Sequence, residues 1–138
     1  MSLEQVRRSG YGVSRSLTVP YEEAVERARA ALANEGFGVL CEIDVREKLQ
    51  EKLGVDFRRY VILGACNPAL AHRALENELE LGLLLPCNVI VYESEDGKGS
   101  VVAAVDANAM LGAVGGNPAL VEVAAEVSRL LGRVLDRL

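Results

Sequence analysis

Apolar and polar positions alternate in register with short strands and helices along the whole chain. Residues 11 to 19 alternate in part and predict a strand. Pro20 suits the first turn of a helix, and Glu22 and Glu23 favour the positive end of its dipole. Tyr21, Val25, Ala28 and Leu32 fall at helical spacing, and Gly36 is placed to close that helix in the left-handed conformation. Phe37 to Ile43 predicts a second strand, in which Phe37, Val39, Cys41 and Ile43 alternate and are expected in the core. Asp44 and Glu47 have the spacing of a capping box; Val45, Leu49 and Leu53 line one face of the helix that follows, and Gly54 ends it. Phe57 to Ala65 predicts a third strand, and Asn67-Pro68 opens a third helix running to about Glu80. Residues 87 to 93 and 100 to 105 read as a hairpin turning at Asp96-Gly97. After glycines 112, 115 and 116, Asn117-Pro118 starts a last helix striped by Leu120, Ala124, Val127, Leu131, Val134 and Leu138. The order is β-α-β-α-β-α-β-β-α, an α+β pattern with no linker, so residues 1–138 are read as a single domain.

Composition narrows the setting. Half of the 138 residues are apolar, but there are only two Phe, four Tyr and no Trp, so the core must be built of aliphatic side chains. A net charge of -5 repels phosphate backbones and argues against nucleic acid and anionic membranes as partners. The pairs Arg7-Arg8 and Arg58-Arg59 read as solvated surface. No stretch reaches the ~18 apolar residues of a membrane span, and Met1–Gln5 lacks a signal-peptide core. Three cysteines, an odd count, point to reduced thiols in the cytoplasm.

Candidate chemistry is thin. Cys66 precedes a helix start, where a thiolate is stabilised and a thiol becomes a nucleophile or metal ligand; the plainer reading is a small buried hydrophobe. Asn-Pro-Ala-Leu recurs at 67–70 and 117–120, so Asn67-Pro68 is explained by helix capping, whereas the preceding Cys is not. His72 is the sole histidine, and any imidazole chemistry must use it. Cys87 opens the fourth strand; with Cys66 and His72 it would make a Cys2His metal set, and Glu42 or water would complete a tetrahedral zinc site. Glu42 and Asp44 share one strand face, but Asp44 is already a helix cap. Gly36-x-Gly38 and Gly112-x-x-Gly115-Gly116 match neither a dinucleotide fingerprint nor a phosphate loop, and no Gly-x-Ser-x-Gly is present.

Several segments together resemble one bacterial and archaeal family. They are Gly36-Phe37-Gly38-Val39-Leu40 with Glu42-Ile43-Asp44, Lys52 to Phe57, Tyr60 with Leu63-Gly64-Ala65-Cys66-Asn67-Pro68, Ala71-His72, and Leu83 to Val89. The chain resembles the domain-of-unknown-function 302 family over roughly residues 10 to 137. The resemblance implies a fold like that of the TATA-box-binding protein, one antiparallel sheet with helices on one face, in a small cytoplasmic homodimer. It implies no activity, and an acidic chain gives no reason to carry DNA binding over from the fold. Its motifs fall on Glu42, Cys66, Asn67, His72, Pro86, Cys87 and Asn88, which raises the expectation of one shared pocket.

Three classes of function stay open on these residues. One is a binding module taking a small ligand or metal ion at Glu42, Cys66, Asn67, His72, Cys87 and Asn88. Another is a thiol-dependent enzyme with Cys66 as nucleophile and His72 as base. The last is a structural or interaction protein in which the cysteines only pack.

Overall fold

The computed structural model describes residues 6–138; the expectation about Met1–Gln5 lies outside them. The chain runs β1 (Val6–Arg8), β2 (Gly12–Leu17), α1 (Tyr21–Asn34), β3 (Gly38–Asp44), α2 (Val45–Leu53), β4 (Tyr60–Cys66) and α3 (Pro68–Asn77). A 3-10 segment, Leu79–Leu84, then leads to β5 (Cys87–Glu93) and β6 (Ser100–Val105), and α4 (Ala107–Leu111) precedes the long α5 (Pro118–Asp136). The six strands form one open antiparallel sheet in the order β1-β2-β6-β5-β4-β3. The α+β expectation holds, with helices packed on one face of the sheet.

Local signals place most boundaries. Asn67 and Asn117 cap α3 and α5, accepting from the Leu70 and Ala119 N–H groups at 3.3 and 3.0 Å. Asp44 accepts from the Glu47 N–H at 2.9 Å. Gly36 and Gly54 take positive φ after α1 and α2, as expected of helix-ending glycines. Gly97 does the same in the β5–β6 hairpin, where the Asp96 side chain accepts from the Lys98 N–H.

The core lies between the sheet and the helices. Val61, Leu63 and Ala65 of β4, Val89 and Val91 of β5, and Val102 and Ala104 of β6 point into it. Seven α5 residues, Leu120 to Leu135, are buried against them. Phe37 is the buried aromatic among the described residues, so the core is aliphatic, as composition required. Glu35 is buried at the end of α1 and is held by Arg133 at 3.1 Å and Arg137 at 2.6 Å from α5.

Two expectations need correction. Cys41 and Ile43 are not core. The β3–β4 register shifts between Val39 and Cys41, leaving Leu40 as the extra residue of a β-bulge. Phe37 and Val39 face the core, but beyond the bulge the alternation is reversed: Cys41 is exposed and Ile43 is 43% exposed. The third helix does not run to Glu80 as one α-helix; it ends at Asn77 and the chain continues as a 3-10 turn. The strand β1 and the short helix α4 are additions to the expected order.

Candidate functional site

At one end of the sheet, small side chains leave room between the layers. Ala65, Cys66 and Cys87 occupy the ends of β4 and β5, Ala71 and Ala74 face them from α3, and Ala107 lies at the start of α4. Close-packed interiors fill such space with larger side chains. Here a cavity of about 380 Å3 remains, within the size range of pockets for small molecules. Leu70, Leu75, Leu81, Leu85, Leu111, Val123 and Val127 complete an apolar wall, and the exposed Leu40 and Cys41 of the β3 bulge stand among its lining residues. Beside the thiols, Asn67 is the polar side chain of the lining, and its Oδ1 already caps α3.

Sulfur is concentrated here. Cys41, Cys66, Cys87 and Met110 all line the cavity, and they are all the cysteine and methionine residues that the structure describes. Cys66 and Cys87 both line the cavity, from the ends of β4 and β5; Ala65 is the register partner of Cys87, and Cys66 follows it. Burial pushes the Cys66 thiol up. Burial, with a smaller effect of Cys66, pushes Cys87 up from 9.0 to about 11. Burial therefore works against the thiolate that a helix start would favour at Cys66, and Asn67 already takes up an N–H of that end.

The structure gathers Cys66, Asn67 and Cys87 of the sequence candidates and leaves the others elsewhere. The His72 side chain is 77% exposed, and its Nδ1 lies 3.7 Å from Glu76 one turn along α3. With helical spacing, Ala71, Ala74 and Leu75 take the cavity side and His72 the solvent side. Glu42 shares its strand face with Asp44, as alternation requires, but it pairs with Arg29 of α1 at 2.5 Å and does not line the cavity. Asn88 is exposed between buried Cys87 and Val89, opposite Gly64 on the outer face of the sheet. Among the described residues, no three His, Cys, Asp or Glu side chains are grouped to hold a metal ion, so Cys66, His72 and Cys87 do not form the expected set.

Sequence reasoning missed the apolar wall itself. Its signals were the small residues Ala71 and Ala74 on the inner face of α3 and Met110, the one methionine among the described residues. Chemically, the arrangement is suited to enclosing apolar surface and to contacts with soft groups; its described lining offers no carboxylate or imidazole as a base.

The family model for the domain of unknown function DUF302 matches residues 13–138. The crystal structure of an uncharacterized conserved DUF302 protein from Bacillus stearothermophilus is similar, with a TM-score of 0.84 and 36% sequence identity. The match covers 94% of this chain and 98% of that one. No curated protein matches the chain. The family model and the structural match each extend over nearly the whole chain, and the chain belongs to the DUF302 family.

Proposed function

We propose that the protein is a binding module that takes a small, largely apolar molecule into the cavity between α3, α4, α5 and the ends of β4 and β5. The observation that carries this is a space of about 380 Å3 walled almost entirely by apolar side chains in an otherwise close-packed core. Apolar pockets of this kind gain affinity from the surface they remove from water. The raised thiols and the outward-facing His72 weigh against a thiol-dependent enzyme, which needs a depressed thiol pKa and a base beside it.

The test is titration with a neutral naphthyl fluorophore, competed by 1-octanol. Saturable binding that is weakened by Ala71→Phe supports the reading. Absence of saturable binding, or an affinity indifferent to Ala71→Phe, overturns it.

The setting proposed with this function is the reducing cytoplasm, supported by three free thiols. A second copy of the chain is the proposed partner, supported by Leu40, Ile43, Leu53, Val55 and Phe57, large apolar side chains left open on and after the edge strand β3. Sedimentation of the protein with and without Phe57→Glu tests it: a dimer dissociated by the substitution is expected, and a monomer in both cases refutes the pairing. Among the described residues, no helix is long and apolar enough to cross a membrane.

A further inference from the structure

We propose that the cavity selects an uncharged ligand with a carbonyl oxygen, which accepts a hydrogen bond from the side-chain amide nitrogen of Asn67. This deepens the apolar-ligand site proposed above and rests on it. The starting point is the way the Asn67 side chain is tied. Its Oδ1 accepts from the Leu70 N–H at 3.3 Å. A helix cap needs an acceptor, so this bond settles which end of the amide faces α3. Nδ2, with its two N–H donors, is left for another partner.

The protein supplies none. The Asn67 side chain makes no other hydrogen bond among the described residues. Nor is Nδ2 sealed in: among the described residues, every fully buried side-chain nitrogen or oxygen has a hydrogen-bond partner. An unbonded Nδ2 therefore lies open. On one side of it stands Gly36, where a Cβ would come within 3.3 Å of Nδ2. Gly36 closes α1 with positive φ and brings no side-chain acceptor. Asn67 lines the cavity, so its open amide is available to a molecule held there.

The rest of the wall decides what that molecule is. No described lining residue is Asp, Glu, Lys, Arg or His. Burial raises the Cys66 and Cys87 thiols, so both stay protonated and neutral at pH 7. A carboxylate or ammonium group would enter without a counter-charge, and burying an unpaired charge is costly. A pure hydrocarbon would cover the amide and leave its donors unbonded. A carbonyl compound meets both conditions: its apolar body fills the leucine and alanine wall, and its oxygen takes up the amide. Asn117 is the internal comparison. It opens α5 with the same Asn-Pro-Ala-Leu segment and caps the Ala119 N–H at 3.0 Å, but it does not line the cavity.

The test uses the full-length chain carrying the neutral fluorophore. Three naphthalenes of closely matched shape compete for it: 2-acetonaphthone, its alkene counterpart 2-isopropenylnaphthalene, and 2-naphthoate. Wild type is compared with Asn67→Asp, which keeps an oxygen for the cap and removes the amide donor, and with Asn117→Asp. In Asn67→Asp the ketone is expected to lose about fivefold in affinity relative to the alkene, the factor of one ordinary hydrogen bond. In Asn117→Asp the ratio stays at its wild-type value. Naphthoate is expected to compete at least about tenfold more weakly than the ketone, because its charge is unpaired. The infrared carbonyl band of the ketone bound to wild type lies below its position in hexane, and this band decides should Asn67→Asp fail to fold. An unchanged ketone-to-alkene ratio in folded Asn67→Asp, a band at the hexane position, or naphthoate bound as tightly as the ketone overturns this inference and leaves the apolar site standing. If the fluorophore itself does not bind saturably, the site fails and the inference falls with it.

Discussion

A Cβ built on Gly64 would stand 2.5 Å from the Cys41 Sγ and 2.9 Å from Cγ of Pro86. The glycine is there because Cys41, its register partner on β3, and Pro86, just before β5, both reach across it. Gly64→Ala should cost about 1–3 kcal/mol, the usual range for overpacking. Urea unfolding checks this, and adding Cys41→Ala should recover part of the loss; full stability in the single variant would refute the contact. Cys87 carries a second prediction. Its folded thiol titrates at about 11 against an ordinary 9.0, so the folded state holds the proton more tightly than the unfolded one. The contribution is fully present below about pH 9 and is lost as pH rises towards 11, for a total of about 2–3 kcal/mol. Comparing unfolding of wild type and Cys87→Ala across that window isolates it; a stability difference independent of pH would contradict the burial of this thiol. Cys66 and Cys87 could be singled out from their places at a helix start and a strand start. The exposure of His72 could not, because its position at the edge of the α3 stripe left either side open.

At the level of elements, caps and terminal glycines were the most legible features. Asn67, Asn117, Asp44, Gly36 and Gly54 act through neighbours a few residues away, so local sequence contains their whole cause. The β3 bulge was not legible. Nothing in Val39-Leu40-Cys41 marks the extra residue, which exists only relative to the register of β4. One inserted position reversed the assignment of Cys41 and Ile43 and turned Glu42 to the helix side, within reach of Arg29. The helix α4 was hidden for a different reason: five residues are too short for a helical period to show. Its cap is visible afterwards, since Asp106 accepts from the Ala109 N–H at 3.1 Å. The two equivalent caps give a paired prediction. Asn67→Ala and Asn117→Ala should each lower stability by about 1 kcal/mol. Only Asn67→Ala should also change fluorophore affinity, because Asn67 lines the cavity and Asn117 does not. Thermal unfolding and binding titrations of both check this, and equal effects of the two on affinity would contradict the placement of Asn67.

Over the whole molecule, the sheet order places the chain's chemistry at one end. β3, β4 and β5 are neighbours, so residues 41, 66 and 87 come close although more than twenty positions separate each from the next. A shared pocket was foreseeable from the clustering of motifs, but its apolar character was not. The motifs draw attention to polar and sulfur groups, whereas the wall is made of leucines and alanines that look like ordinary core. Among the lining residues, Ala65, Ala71, Ala74 and Ala107 are small and leave the space that the leucines surround. A ligand that binds the folded state alone must stabilise it by mass action, by about 2.7 kcal/mol at 100 times its Kd.

The most direct measurement is therefore the melting temperature of the full chain with and without saturating 1-octanol, for wild type and for Ala71→Phe. The account predicts a concentration-dependent rise in Tm for wild type that is greatly reduced in Ala71→Phe, whose added ring occupies the space. No rise in wild type, or the same rise in both proteins, would contradict the claim that this cavity is a binding site.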